Sequence, residues 1–208
     1  MQSKTKVGVI GVGHLGKHHV HHFSKITNAD LQGIYDINTS ASETISRQHK
    51  TKSFKTLFEL IEKVDAVSIV TPTKEHKAIA KKCIEEGKHV FIEKPITQTV
   101  EEADELIKLA KNKNIIIQVG HIERLNPALM PLKNYDISPK FVEVQRLAPY
   151  MVRGSDVPVV LDLMIHDIDI VLSLITSRIK NIESTGVSIM TNSVDIANAR
   201  ISFENGAI

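Results

Sequence analysis

The 208-residue chain carries 26 Lys and Arg against 24 Asp and Glu, so its net charge is +2. A charge this small provides no basic field for binding nucleic acid. Hydrophobic residues make up 42% of the chain, as in ordinary globular proteins, and the length allows one or two domains. A single cysteine, Cys83, excludes an internal disulfide framework, and no N-terminal apolar run is long enough for a signal peptide or membrane span. We therefore expect a cytoplasmic protein without a membrane segment.

Apolar runs separated by amphipathic helices occupy the first part of the chain. The runs are Lys6–Ile10, Leu31–Tyr35, Ala66–Val70, His89–Ile92 and Ile115–Val119. Near-continuous apolar strands that alternate with helices predict a parallel sheet covered on both faces. Because crossovers between parallel strands are right-handed, the expected fold class is α/β, with a doubly wound Rossmann sheet over residues 1–120.

The predicted helices carry recognisable signals at their ends. Gly87 stands where the helix ending near Glu86 needs a left-handed residue. In a capping box, a hydroxyl and a carboxylate three residues later satisfy the free N–H groups of the first helical turn. The sequence predicts such boxes at Ser40…Glu43, Thr56…Glu59 and Thr99…Glu102.

The pattern changes after Gly120, where we expect a second domain over residues 121–208. Its segments are a strand-like run, a loop, an apolar helix and two further strand-like stretches, at Phe141–Leu147, Pro149–Pro158, Val159–Leu174, Ile182–Met190 and Asp195–Phe203. Strands, then a helix, then strands predict an α+β domain with a mostly antiparallel sheet.

The last residues contain a hairpin signal that has no partner strand. Asn205-Gly206 follows an alternating apolar stretch that ends at Phe203, and this pattern is typical of a β-hairpin turn. The sequence stops two residues later. We therefore expect a piece of a longer protein, with an incomplete second domain and an open sheet edge. The alternative is that residues 205–208 are a frayed terminus.

A glycine-rich turn, Gly11-Val12-Gly13-His14-Leu15-Gly16, follows the first apolar run. Gly11 permits the tight turn, Gly13 removes a side chain that would block a pyrophosphate, and Gly16 lets the next helix pack closely. A pyrophosphate would lie on the first N–H groups of that helix, with His14 and Leu15 among the cofactor contacts.

Asp36 ends the second apolar run, 20 residues past Gly16. A carboxylate in this place accepts hydrogen bonds from the ribose hydroxyls of a dinucleotide. It would repel a 2′-phosphate, so the sequence favours NAD over NADP. The alternative is that Asp36 only caps its own turn.

Two further segments follow apolar runs and therefore lie at the ligand-binding edge of the predicted sheet. In Thr71-Pro72-Thr73 we expect cofactor contacts, with Thr73 capping the next helix; capping alone would also explain this threonine. In Glu93-Lys94-Pro95 we expect cofactor contacts as well, and Lys94 can hydrogen-bond a substrate hydroxyl. A solvated ion pair of Glu93 and Lys94 is the alternative.

The apolar helix of the second domain carries a stripe of ionisable residues. Asp162, His166 and Asp169 follow i, i+4 and i+7 spacing. Ionisable groups on so apolar a helix are costly unless they are paired or face a cavity, which indicates a functional site. The alternative is that Asp162 is an N-cap and His166 a satisfied core histidine.

These motifs together resemble one enzyme family. Gly11–Gly16, Asp36, Glu93-Lys94-Pro95 and the Asp162…His166 pair are similar, in order and spacing, to the Gfo/Idh/MocA oxidoreductases, which include glucose–fructose oxidoreductase and inositol dehydrogenase. The resemblance covers the whole chain, and family members continue through a larger C-terminal sheet. It implies that Lys94, Asp162 and His166 are catalytic and surround a reacting hydroxyl near nicotinamide C4. It also implies a cis peptide at Lys94–Pro95.

The resemblance implies hydride transfer between a sugar hydroxyl and NAD. His166 would remove the hydroxyl proton, Lys94 would polarise the oxygen, and Asp162 would position the substrate. Arg124, Asn126 and Arg153 are further candidates for sugar or phosphate contacts, although each could equally be a surface or domain-docking residue.

The substrate class follows from a narrower resemblance. The motifs G-H-I-E-R-x-N-P and L-D-L-M-I-H-D-I-D look like a bacterial branch of the family that oxidises nucleotide sugars such as UDP-N-acetylglucosamine at the 3-hydroxyl. Two other functions stay open: a non-catalytic NAD-binding regulator or subunit, and an enzyme whose tightly bound NAD cycles within one oxidation–reduction pair. An exposed sheet face in the second domain would suit a homodimer or homotetramer.

The first predicted helix is rich in histidine. His14, His18, His21 and His22 recur at near-helical spacing, with His19 beside them. Because no cysteine or carboxylate joins them locally, we expect a solvated helix face and no metal site.

Overall fold

The computed structural model describes residues 3–149 and 157–208 of the chain. The chain divides between Gly120 and His121 into two compact units. In the described ranges, no helix is both long enough and apolar enough to cross a membrane. Most of the predicted loop Pro149–Pro158, including Arg153, lies outside the described residues.

The first unit is built on a five-stranded parallel sheet. Its strands are β1 (Thr5–Ile10), β2 (Ala29–Tyr35), β3 (Ala66–Ile69), β4 (His89–Ile92) and β5 (Ile117–Val119). Their spatial order is β2-β1-β3-β4-β5, and every neighbouring pair is parallel. β2 lies on one side of β1, and β3, β4 and β5 lie on the other. Because the strand order reverses at this point, a crevice opens at the carboxyl ends of β1 and β3. The predicted Rossmann sheet is confirmed.

Helices cover both faces of this sheet. They are α1 (Gly16–Phe23), α2 (Thr39–His49), α3 (Leu57–Ile61), α4 (Thr73–Glu85) and α5 (Val100–Lys113). On one face, a buried cluster joins Ile10 to residues of α3, α4 and α5; on the other, Val9 packs with Val20 of α1. Each fully buried aliphatic side chain contributes roughly 1.5–3 kcal/mol to folding. The alternation of Val9 and Ile10 between the two faces shows why the buried part of β1 carries no polar side chain.

The predicted helix ends are mostly but not all correct. Thr56 and Glu59 form the full capping box at α3, and Gly87 has the left-handed φ of +72°. At α2 the prediction was wrong, because Asn38 is the N-cap and accepts a hydrogen bond from the Ala41 N–H. Ser40 lies inside the helix, since the asparagine two residues earlier already supplies the cap.

Two other caps differ from the expected form. Thr99 accepts a hydrogen bond from the Glu102 N–H, but the Glu102 carboxylate accepts from the Gln98 N–H instead of closing the box on Thr99. Thr73 does not cap α4: the N-cap position is Pro72, and no side chain caps that end. Thr73 is therefore the first helical residue.

The second unit contains one long helical segment and a two-stranded sheet. A π-helical turn, Val160–Met164, leads into α6 (Ile165–Leu174), and β6 (Ile179–Val187) pairs antiparallel with β7 (Ile196–Phe203). The predicted helix and the last two predicted strands are confirmed, although β6 begins and ends three residues earlier than expected. Ile175, Phe203 and Ala207 form a small buried cluster here.

The run Phe141–Leu147 was predicted as a strand, and within the described residues it is not one. Two backbone hydrogen bonds tie its start to Ile208: the Val142 N–H donates to the Ile208 carbonyl, and the Ile208 N–H donates to the Lys140 carbonyl. Beyond them no ladder continues, and Leu147 is 86% exposed. An apolar run becomes a strand only where a partner supplies hydrogen bonds.

The Asn205-Gly206 turn forms as predicted. Gly206 has a φ of +82°, and the Phe203 N–H donates a hydrogen bond of 2.9 Å to the Ala207 carbonyl. Ala207 is fully buried. The alternative of a frayed terminus is therefore wrong, because these residues are held by hydrogen bonds and packing.

Candidate functional site

The glycine turn after β1 separates glycines required by the backbone from one that is not. Gly11 has a φ of +85°, and a Cβ there would lie 2.6 Å from the Val70 carbonyl oxygen. A Cβ at Gly16 would collide with the Gly11 carbonyl. A Cβ at Gly13 would meet no protein atom of the described residues within 4 Å. Gly11 and Gly16 are therefore demanded by close packing, while Gly13 keeps the N-terminal end of α1 open to a ligand.

The Asp36 carboxylate is hydrogen-bonded to this turn. Its Oδ2 accepts a 2.7 Å hydrogen bond from the Val12 N–H, and its Oδ1 accepts a 2.8 Å hydrogen bond from the Asn38 N–H. The second bond is the turn cap that we considered as an alternative. Each carboxylate oxygen can accept a further hydrogen bond. The same group can therefore brace the turn and bind a ribose hydroxyl.

The Thr71 hydroxyl follows β3 at the carboxyl edge of the sheet. Its Oγ1 is buried and has no hydrogen-bond partner among the described residues. An unsatisfied buried hydroxyl costs about 1–3 kcal/mol. The position therefore suits a ligand hydrogen bond. With Gly13 and Asp36, it means that the residues present fit a dinucleotide.

Glu93 and Lys94 follow β4, and the Lys94–Pro95 peptide is cis, as the family resemblance implied. Glu93 is only 9% exposed, and its Oε1 lies 3.1 Å from His19 Nε2. A Cβ at Gly120 would lie 2.9 Å from the same carboxylate oxygen. The alternative of a solvated Glu93 is therefore wrong, because its carboxylate is packed beneath Gly120. Lys94 is half-buried.

The histidines of α1 and of the turn before it do not all lie on one solvated face. His14, His18 and His22 are exposed as predicted, but His19 points toward the sheet. Its Nδ1 lies 2.9 Å from the Ser68 hydroxyl, and its Nε2 faces Glu93. The expectation was wrong for His19 because its ring reaches two polar partners, Ser68 of β3 and Glu93 after β4. Among the described residues, no group of three metal-binding side chains is arranged to hold an ion.

Sequence reasoning missed His76, in the second turn of α4. Its ring is 1% exposed and lies between the segments that follow β3 and β4. Nε2 lies 2.9 Å from the Thr71 carbonyl oxygen, and Nδ1 lies 2.9 Å from the Pro95 carbonyl oxygen. The structure thus links two segments that the sequence singled out separately. A histidine within an amphipathic helix gave no signal of this role.

In the second unit, Asp162 lies within the π-helical turn and His166 lies at the start of α6. The alternative of Asp162 as an N-cap is therefore wrong. The predicted stripe assumed regular α-helical spacing through this segment, and the π turn changes the spacing between Asp162 and His166. His166 and Asp169 remain three residues apart within α6 itself.

Two arginines hold the acidic residues of α6. Arg124 Nε donates to Asp169 Oδ2 at 2.6 Å, and Arg146 Nε donates to Asp167 Oδ1 at 2.9 Å. Both carboxylates are buried. These hydrogen bonds raise the pKa of both guanidinium groups above the usual arginine value. Sequence reasoning identified neither ion pair, because each joins residues that are far apart in the chain.

The predicted substrate contacts in this unit take part in local structure. Arg124 is 56% exposed at its side chain even though Asp169 binds it in a forked geometry. The Asn126 side chain donates to Glu123, and its Oδ1 accepts from the Ala128 N–H. These contacts shape the 3₁₀ turn Ile122–Leu125 and the turn that follows it. Arg153 lies outside the described residues.

Comparison with known proteins agrees with this geometry. A parallel sheet whose order reverses beside β1, with a glycine turn braced by the carboxylate that ends β2, defines a dinucleotide-binding Rossmann unit. Residues 5–121 match the family model described as an oxidoreductase family with an NAD-binding Rossmann fold. The chain belongs to this family, the Gfo/Idh/MocA oxidoreductases. The resemblance drawn from the motifs is confirmed.

Individual relatives extend over both units. UDP-N-acetylglucosamine 3-dehydrogenase of Acidithiobacillus ferrooxidans is 38% identical over 204 residues, which cover 98% of this chain and 64% of that protein. A solved structure of that enzyme matches with a TM-score of 0.92 at 37% identity, covering 99% of this chain and 68% of the other. The scyllo-inositol 2-dehydrogenase (NAD(+)) of Bacillus subtilis is 28% identical, over 100% of this chain and 66% of that protein. The chain thus spans about two thirds of the length of these relatives.

Proposed function

We propose that this protein is an NAD-dependent oxidoreductase that acts on a hydroxyl group of a sugar, with a nucleotide sugar as the favoured substrate. The observation that carries the proposal is that residues suited to NAD binding occur in the same chain as Lys94, Asp162 and His166. The family resemblance assigns the chemistry to these three residues. The similarity to a UDP-N-acetylglucosamine 3-dehydrogenase over 98% of the chain supports the choice of substrate.

The first unit holds the cofactor in this proposal. The first N–H groups of α1 bind the pyrophosphate over Gly13, while Asp36 accepts from the ribose hydroxyls and disfavours a 2′-phosphate. The other contacts come from the glycine turn and from the segments after β3 and β4, namely Gly11, His14, Leu15, Gly16, Thr71, Pro72, Thr73, Glu93 and Lys94. NAD, when bound, supplies the hydride acceptor.

The protein's own groups manage the proton and the substrate. Lys94 Nζ donates a hydrogen bond to the reacting hydroxyl oxygen and favours negative charge on it. An imidazole nitrogen of His166 takes the hydroxyl proton as the carbinol carbon is oxidised to a carbonyl. The Asp162 carboxylate positions the sugar by accepting hydrogen bonds from it. In the reverse direction His166 returns the proton to the developing alkoxide.

Recognition of a nucleotide sugar falls to the second unit. Asp169 accepts from two of the five guanidinium N–H groups of Arg124, and within the described residues the other three can donate to a phosphate or sugar oxygen. Asn126 and Arg153 complete the proposed substrate contacts. We place the enzyme in the cytoplasm as a homodimer or homotetramer.

The test is a panel of nucleotide sugars and cyclic polyols offered with NAD to the full-length protein, with reduced cofactor as the readout. We expect turnover on a nucleotide sugar, and a loss of about 10²–10⁴-fold in kcat for His166→Ala and Lys94→Ala. Lys108→Ala, an exposed change on α5, is the matched control. Binding of NAD without turnover on any substrate would favour a regulatory subunit, and full activity in both variants would refute the assigned roles.

A further inference from the structure

His76 is a buried polar group that the proposed reaction does not use. It lies on α4, but both of its ring nitrogens contact carbonyl oxygens outside that helix, at Thr71 and at Pro95. Thr71 and Pro95 follow two neighbouring parallel strands, β3 and β4. One side chain therefore spans the two backbone segments that form this part of the sheet's carboxyl edge.

The chemistry of the ring suits this bridging position. A carbonyl oxygen only accepts hydrogen bonds, so each contact is a hydrogen bond only where the facing ring nitrogen carries a proton. The neutral ring donates one of these bonds and the protonated ring donates both. Burial of the ring at 1% exposure excludes water as a competing partner. A buried polar group is costly unless it is bonded, which explains why the ring is held between two carbonyls.

The two segments carry different parts of the proposed site. On one side, the Thr71 carbonyl belongs to the residue whose buried hydroxyl is suited to a cofactor hydrogen bond. On the other side, the Pro95 carbonyl belongs to the residue that follows Lys94 through the cis peptide. His76 therefore contacts both the cofactor segment and the residue that follows Lys94.

We propose that His76 is a positioning residue that holds Lys94 in place relative to the Thr71 segment through its contacts with the Thr71 and Pro95 carbonyl oxygens. This inference rests on the proposed function, because it assigns Thr71 to the cofactor side and Lys94 to the substrate side. It adds a residue that contacts neither substrate nor cofactor.

Two conservative variants separate the two links. In His76→Asn, the shorter side chain carries its amide nitrogen near the position of Nδ1 and can keep the bond to Pro95. In His76→Gln, the longer side chain carries it near the position of Nε2 and can keep the bond to Thr71. His76→Leu removes both contacts, and the melting temperature of each variant records general damage to the fold.

In the full-length protein we expect one variant to lose mainly turnover and the other to lose mainly NAD affinity. His76→Gln lowers kcat by roughly 10- to 100-fold, because small misplacements of a catalytic group have effects of this size. Its Kd for NAD stays within about twofold of the wild type, since a retained bond leaves the cofactor segment in place. His76→Asn keeps most of kcat and raises the Kd for NAD by about 3- to 10-fold, the effect of one lost hydrogen bond. His76→Leu shows both defects.

Equal losses of kcat and NAD affinity in the Asn and Gln variants, in step with their melting temperatures, would mean a purely structural role and overturn the proposal. Unchanged kinetics in His76→Leu would overturn it as well. If the wild type turned over no substrate, the proposed function would fail, and carbon-13 carbonyl shifts would decide this inference separately. In that case the carbonyl resonance of Pro95 must shift in His76→Gln and that of Thr71 in His76→Asn. The absence of this selectivity overturns the inference about His76.

Discussion

Replacing Gly13 with alanine is expected to separate NAD binding from folding. Gly13 is not among the glycines with positive φ, and a Cβ there would have no protein neighbour within 4 Å in the described residues. The backbone therefore accepts alanine without strain. The lower conformational entropy of the unfolded chain stabilises such a variant by about 0.4–1 kcal/mol.

The added methyl group would lie where the pyrophosphate is expected to approach the backbone of α1. We expect the Kd for NAD to rise at least about tenfold, which corresponds to about 1.4 kcal/mol of binding free energy. Thermal unfolding followed by circular dichroism measures stability, and isothermal titration calorimetry measures NAD affinity on the same samples.

Gly87→Ala and Gly16→Ala are the matched controls. Gly87 has a left-handed φ of +72° and an open Cβ position, so alanine there should cost about 1–2 kcal/mol of stability and leave NAD affinity unchanged. Gly16→Ala should damage the fold, because its Cβ collides with the Gly11 carbonyl. If Gly13→Ala bound NAD as tightly as the wild type, the placement of the pyrophosphate over Gly13 would be refuted.

Three further outcomes follow from local contacts. Thr56→Ala should lower the free energy of unfolding by about 1 kcal/mol in urea titrations, whereas Ser40→Ala, which removes no cap, should have little effect. Burial raises the pKa of the Cys83 thiol to about 12, so a thiol reagent should react with it only after unfolding. Hydrogen bonds from the Thr191 and Ile189 N–H groups lower the pKa of Asp195, so its stabilisation is complete above the usual carboxyl pKa of about 3.9 and is lost as the pH falls toward the folded-state pKa. The difference in urea stability between the wild type and Asp195→Asn should therefore shrink in acid; a constant difference would contradict this reasoning.

The first unit could be predicted from the sequence because its signals are local. Strands buried on both faces must be apolar at nearly every position, and the end of β1 and β3 come closest to this pattern, whereas the edge strand β2 carries Asp30 and Gln32. The fifth strand was predicted two residues too long at its start. Ile115 instead lies just after α5, and its N–H donates a 2.8 Å hydrogen bond back to the Ala110 carbonyl of that helix. Helix ends and strand starts compete for the same apolar residues.

The polar contacts that organise the site could not be predicted in this way. His19 meets Glu93, and His76 meets Pro95, across long separations in sequence. A histidine in a helix has the same appearance in the sequence whether water or a buried partner satisfies it. The glycine turn and Asp36 were predictable because their roles are decided by backbone conformation and by position at a strand end.

The second unit shows the same limit for strands. The run Phe141–Leu147 has the composition of a strand, but composition does not supply a partner. Arg146, within that run, is instead held by Asp167 of α6. Contacts between residues far apart in the chain therefore determined both the structure of this run and the positions of the histidines.

The π turn Val160–Met164 gives the helix of the second unit two separate phases. Side chains four residues apart align in an α-helix because 3.6 residues complete a turn, whereas the i→i+5 bonding of a π turn accommodates about one residue more. Deleting one residue from this turn would restore α-helical geometry and leave the residues before the turn facing nearly the same direction relative to α6. Asp162 lies inside the turn, so the deletion would change its direction while the residues before the turn and those of α6 keep theirs.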